Sequence, residues 1–255
     1  MLTVISPAKR LNFDPIDGPV SFPQFQEDAT SLAATASRLS VKKLQELMSI
    51  SSDLAKLNAQ RFRDFEPEST LENAKQAAYA FAGDTYLGLE ASSLDADEMD
   101  FARGHLRILS GLYGVLAPHD LIQPYRLEMG SRLKTRQGKT LYAYWGSRIA
   151  RALNDTAQAS GSDILVNCAS KEYFTAVDQS VLNLKIVTPQ FLEDRPGGPK
   201  IISFSAKKAR GAMARFVIQN RIEDPQGLRD FESGGFLFAP ERSTPEQPVF
   251  IKPMA

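Results

Sequence analysis

With 255 residues and 43% hydrophobic content, the chain has material for a substantial core in one domain or two, and it contains no apolar run of about eighteen residues that would cross a membrane. Thirty basic and thirty acidic residues cancel, but Arg195 to Ile222 holds seven basic residues and no acid, and Arg126 to Arg151 holds seven against Glu128. The compensating carboxylates sit largely in Asp64 to Asp100, where ten face Lys75. Local field rather than net charge governs encounter, so this segregation suits nucleic acid, a phosphorylated small molecule or plainly solvated helix faces.

Leu2 to Ile5 is a short apolar run stopped by Ser6-Pro7, which predicts a buried first strand. Neither a basic leader nor a long apolar stretch precedes it, so no signal peptide is expected. Asn12 to Gln24, with Pro15, Gly18, Pro19 and Pro23, reads as an irregular connection. Helical spacing then dominates from Glu27 to about Phe81. Val41, Leu44, Leu47 and Met48 mark one amphipathic helix with Ser40 as its N-cap, and Asp53 to Phe62 fits a second after a break at Ser49 to Ser52. Asp95 to Ile108, acidic in its first turn and basic in its last, predicts another helix. Ile164 to Cys168, Leu184 to Val187 and Ile201 to Phe204 read as strands, and Phe236 to Phe238 and Val249 to Ile251 as closing strands. The expected architecture is α/β, mixed α+β: one compact domain over residues 1–255, a mixed sheet flanked by helices.

On a helix from Lys207 to Ile222, Ala209, Ala212, Met213, Phe216 and Val217 share one arc. Lys207, Lys208, Arg215 and Arg221 lie opposite, with Arg210 at the edge. Such a face suits phosphate binding through charge-assisted donors, or is a solvated face covered by the acidic segment. The Ser49-Ile50-Ser51 break has the form of a helix-hairpin-helix turn, with residues 40–62 as the whole element. Such turns run Gly-hydrophobic-Gly with a small residue four positions on, here Ala55. Backbone N–H groups at such a turn, here Ser49, Ile50, Ser51 and Ser52 with Lys56 nearby, approach a phosphate without reading bases. Both glycines are serines here and Asp53 adds a negative charge, so an ordinary capped turn is the alternative.

No Gly-x-Gly-x-x-Gly, P-loop or Gly-x-Ser-x-Gly sequence occurs. His105 and His119 are isolated, and one cysteine, Cys168, builds neither a disulfide nor a thiolate metal site and suits a reducing cytoplasm. No metal or cofactor is implied. Polar residues where strands end offer a crevice: Ser6 and Lys9; Asn167, Ser170, Lys171 and Glu172; Ser203, Ser205 and Lys207. Arg126 and Glu128 add a further charged pair. Such a crevice would take a nucleotide-like or phosphorylated substrate, with Lys9 or Lys207 as cation and Glu128 or Glu172 as acid or base. Buried ion pairs are the alternative.

Several blocks, in order, resemble the YaaA family of bacterial peroxide-stress proteins: Ile5-Ser6-Pro7-Ala8-Lys9, Leu57-Asn58-Ala59-Gln60-Arg61-Phe62, Leu109 to Leu116, Pro124 to Gly130, Ala169 to Phe174, and Ile201 to Gly211. The resemblance covers essentially the whole chain apart from the final fifteen or so residues. It implies a cytoplasmic protein that limits peroxide damage and is associated with lowering unincorporated iron, hence Fenton chemistry. It also implies a mixed α/β body with a helix-hairpin-helix element and a positive cleft that bind DNA, which points to Ser49 to Ser52, Lys56, Lys207, Lys208, Arg210 and Arg215. Non-enzymatic DNA binding is the leading expectation. An enzyme acting in the strand-end crevice around Lys9, Arg126, Glu128, Lys171 and Glu172 is the second, and iron handling the third.

Overall fold

The computed structural model of the chain describes residues 1–254. Leu2–Ile5 is buried along its whole length and stands at the centre of a five-stranded sheet. A strand covered on both faces has no solvent side to make polar, which explains the unbroken apolar run. Leu106–Ser110 pairs parallel on one side and Ile164–Cys168 parallel on the other. Gly114–Leu116 closes the first side as an antiparallel hairpin partner, and Lys185–Val187 closes the second in parallel. A second sheet sets Val249–Lys252 between Gln190–Glu193 and Leu237–Phe238, and its Phe191 and Phe250 stack at 5.5 Å with Phe231 edge-on to both. The whole is one compact α/β body, as expected.

The helical N-terminal third divides into Gln26–Ser37, Val41–Met48 and Ser52–Arg63. The periodicity read to Phe81 stops earlier: beyond Asp64 the chain runs irregularly to a two-residue ladder, Lys75–Gln76 with Leu121–Ile122, and one short helix, Ala77–Ala80. The expected helix Asp95 to Ile108 is Ala96–His105, started by a capping box between Asp95 and Glu98. Its last residues belong instead to the strand Leu106–Ser110, because Leu106 and Ile108 are buried beside Leu2–Ile5.

The expected strand Ile201 to Phe204 is not one. Ser203 begins a helix that runs to Gln219, and Ile201 and Phe204 are exposed. That long helix packs on Leu2–Ile5, on Ile164–Cys168 and most of all on the short helix Asp84–Leu89. At the crossing, backbone meets backbone. A Cβ on Gly88 would stand 2.0 Å from the Lys208 carbonyl oxygen, and one on Gly211 1.7 Å from the Thr85 carbonyl oxygen. Only glycine permits this approach. Gly111 and Gly114 serve the same purpose in the sheet hairpin, where buried Trp145 donates to the Gly111 carbonyl at 3.0 Å and its ring fills the space beside Gly114.

Candidate functional site

The chain leaves the central strand Leu2–Ile5 toward Leu106–Ser110 on one side, while Ile164–Cys168 continues to Lys185–Val187 on the other. The strand order therefore reverses between Leu2–Ile5 and Ile164–Cys168, and the crevice beyond their carboxyl ends is where ligands collect in open α/β sheets. A cavity of about 450 Å³ lies there, lined by Ser6 to Arg10, Ala82 to Thr85, Glu128, Cys168, Ser170, Glu172, Tyr173, Lys207 and Arg210.

Each wall is fixed by the local fold. Ser6 Oγ accepts the Ser170 backbone N–H at 2.8 Å and locks the two strand ends together, while the Tyr86 hydroxyl donates to the Ser6 carbonyl at 3.1 Å. Arg10 is held at the rim by the pairing of Arg10–Leu11 with Phe81–Ala82. Lys207 and Arg210, one turn apart on the long helix, enter from above. Glu128 meets Arg126 through Oε1 at 2.9 Å and Lys9 at 3.5 Å, while its Oε2 is buried without a hydrogen-bond partner among the described residues. Glu172 accepts the Gly130 N–H at 2.9 Å.

The crevice thus gathers four cations, Lys9, Arg10, Lys207 and Arg210, against Asp84, Glu128 and Glu172. Burial pulls the Arg210 guanidinium below its ordinary value, with Cys168 opposing, and no ion pair holds it among the described residues. Burial also drives the Tyr173 hydroxyl far up, and lifts the Cys168 thiol to about 12. The site offers basic side chains, hydroxyls and unpartnered carboxylate oxygens, the buried Glu128 Oε2 among them, with no reactive thiolate.

The sequence placed Ser6, Lys9, Glu128, Ser170, Glu172 and Lys207 here, and the fold brings them together. Arg126 belongs at the edge, in a small adjoining depression with Lys9 and Tyr173. Lys171 is exposed on the following helix and does not line the cavity. Asn167 turns to the Ala169 N–H and Thr188, and Ser203 and Ser205 do not reach the cavity. Arg10, Asp84 and Thr85 were not singled out by sequence. No expected element ended at Asp84 or Thr85, though Gly83 before them was a signal.

The basic helix does not present one face. Lys207 and Lys208 are exposed, whereas Arg210 turns into the crevice. Arg215 is tied to the carbonyls of Glu90 at 2.8 Å and Leu89 at 3.1 Å, with the Glu90 carboxylate at 3.8 Å. It closes the end of Asp84–Leu89, so its donors are spent internally, and Ile218 on the same side is buried. Asp84–Leu89 and Ala96–His105, from the acidic segment, pack on this helix, where Glu98 accepts from Gln219 at 2.9 Å.

At the other proposed contact, Ser49 has φ +51°, Ile50 is buried and Ser51 caps Ser52–Arg63 through the Leu54 N–H at 3.3 Å. Ser49 takes the left-handed conformation a glycine would, and Ala55 is buried against the neighbouring helix region. Lys56 pairs with Asp53 at 3.4 Å, with both exposed, so its charge is partly cancelled beside the turn. Trp145 is buried against Phe25 at 5.4 Å and is not free to stack on a base. No helix among the described residues is long and apolar enough to cross a membrane, and no three His, Cys, Asp or Glu side chains among them are placed to hold a metal ion.

A family model described as peroxide stress protein YaaA matches residues 1–242. The chain is 61% identical over 252 residues to a UPF0246 protein of Jannaschia sp. (strain CCS1), covering 99% of this chain and 97% of that protein. It is 57% identical to one of Ruegeria pomeroyi, covering 99% of each chain, and 52% identical to one of Phenylobacterium zucineum, covering 99% of this chain and 95% of that protein. The chain belongs to the YaaA peroxide-stress family.

Proposed function

With that membership as premise, we propose that this protein acts in peroxide defence by holding DNA phosphates in the switch-point crevice, without reading bases. The observation that carries it is the convergence of Lys9, Arg10, Lys207 and Arg210 on one opening. Lys208, exposed beside Lys207, extends the contact outward, and the exposed Ser49, Ser51 and Ser52 form a separate candidate contact for a backbone at the helix turn. Arg215 is excluded from the contact by its carbonyl partners. Bound DNA is shielded from peroxide-driven damage, and on this reading any effect on iron follows from the DNA-bound role. This role places the protein in the cytoplasm.

The test is fluorescence anisotropy of labelled duplex DNA across a salt series. About four neutralised phosphates give a log–log slope near −3.6. Replacing Lys207 with Glu lowers affinity for every sequence alike, whereas an unchanged affinity would remove the crevice from the contact.

One observation favours a second reading at the same site. The buried, unpartnered Oε2 of Glu128, beside Arg126 and Lys9, suits a nucleotide-like or phosphorylated small molecule that supplies a hydroxyl or amide donor. Saturable nucleotide binding lost in Glu128→Gln, with DNA affinity intact, would select it.

A further inference from the structure

We infer that the chain carries a second anion site, away from the switch-point crevice, built on Lys75 and Arg61 and shaped for a small organic carboxylate or phosphate monoester with an apolar body. A cavity of about 670 Å³ opens between the second helix of the helical pair and the Lys75–Gln76 ladder. That is larger than the crevice and within the range of small-molecule sites.

Lys75 is 8% exposed, yet its ammonium makes no ion pair or hydrogen bond among the described residues. It is not sealed in the core either, because the residue lines this cavity and the depression next to it. Arg61 is half-buried, and its one side-chain hydrogen bond is a long 3.4 Å contact to Asn58. Cations drawn largely out of water are ordinarily paired, so buried Lys75 with half-buried Arg61 on the same cavity leaves a place for negative charge.

The other polar walls are already committed. Gln123 bonds the Glu66 backbone through both ends of its amide, and Asn73 bonds Thr70, Glu66 and Glu68. Asp64 accepts from Gln60 at 2.6 Å, while Asp17 and Glu72 are exposed at the rim and pair with neither cation. Phe13, Ile16, Leu71 and Pro124 supply the apolar wall, and Leu71 is 68% exposed with nothing over it. Burial lowers both cations below their ordinary values, with Asp14 opposing at Lys75, so an arriving anion would relieve them.

Calorimetric titration of the full chain with phenyl phosphate, benzoate and inorganic phosphate tests this. Lys75→Met, Arg61→Gln and, as control, Lys207→Ala serve as variants. Saturable one-to-one binding of phenyl phosphate or benzoate, weakened about tenfold or more by Lys75→Met and untouched by Lys207→Ala, is expected. Whichever of the two probes binds names the head group. No saturable binding of either at millimolar concentration, or equal binding by Lys75→Met, overturns the site. Inorganic phosphate binding as tightly as phenyl phosphate overturns the apolar body. A second measurement does not depend on folding of a variant: NMR of reductively ¹³C-methylated protein should show one lysine titrating below the rest and moving upward on adding the bound probe. A resonance set that ignores the probe counts against Lys75.

Discussion

Gly211→Ala should open the helix crossing that sets the width of the crevice. The added methyl would stand 1.7 Å from the Thr85 carbonyl oxygen, 2.7 Å from the Thr85 carbonyl carbon and 2.8 Å from the Leu89 nitrogen. All three are backbone atoms and cannot rotate away. Bringing the closest contact out to 3.0 Å requires the long helix and Asp84–Leu89 to part by at least 1.3 Å, the difference between 3.0 and 1.7. Overpacking of this kind costs about 3 kcal/mol at the upper end of the usual range. Alanine's better helix propensity offsets about 1 kcal/mol, leaving a loss of about 2 kcal/mol. In a chain of this size that lowers Tm by about 4–8 °C. Gly104→Ala is the matched control, in a helix where no atom lies within 4 Å of the new methyl. It should stabilise by up to about 1 kcal/mol. Urea unfolding of the two variants beside wild type reads the difference directly. Gly211→Ala as stable as wild type would refute the crossing. Because Lys207 and Arg210 ride on the displaced helix, DNA affinity should fall in the same variant.

Three further outcomes are expected. Arg215→Ala should lose about 1.5–3 kcal/mol in urea unfolding, since it removes the charged donor shared by the Leu89 and Glu90 carbonyls and leaves Glu90 only its Ser93 donors; a change in the DNA salt slope with stability intact would reverse that assignment. Ser49→Gly should raise stability by about 1 kcal/mol by relieving the positive φ of +51°, and thermal melting that shows a loss would mean the Ser49 side chain has a partner. The Cys168 thiol, held at about 12 against an ordinary 9.0 chiefly by burial, favours the fold below pH 9 and loses that contribution as pH rises through about 12. Cys168→Ala should therefore flatten the alkaline fall in stability. Native protein at pH 8 should leave the thiol unmodified by Ellman's reagent, whereas rapid native modification would contradict its burial.

What the sequence made legible was what lies close along the chain or repeats with a period. Leu2–Ile5 and Ile164–Cys168 were readable because strands covered on both faces are apolar throughout. Ile201 to Phe204 has the same look and is no strand, since Ile201 and Phe204 are 57% and 66% exposed. Local composition does not say whether an apolar run meets a core. The crevice was half-readable: residues at strand ends were found, and Asp84 and Thr85 were missed because packing with the long helix brings them in, as Arg10 was because its pairing with Ala82 does. Arg215 was read as surface charge because its carbonyl partners are 125 and 126 positions away. Lys75 showed in the sequence only as the one basic residue among the carboxylates of Asp64 to Asp100, and its burial without an ion pair emerges only in the fold.

Placing the first four-residue strand at the centre of the sheet has a consequence for synthesis. Leu2–Ile5 takes its two neighbours from Leu106–Ser110 and Ile164–Cys168. At ribosomal speeds of about 5–20 residues per second, the nascent chain waits on the order of ten to thirty seconds before the second neighbour is made. Throughout that interval an apolar segment keeps at least one edge unpaired, which favours chaperone capture and disfavours any early-folding fragment. A chain cut short before Arg210 lacks one wall of the crevice. Truncated chains would therefore be clients for degradation rather than carriers of a partial crevice.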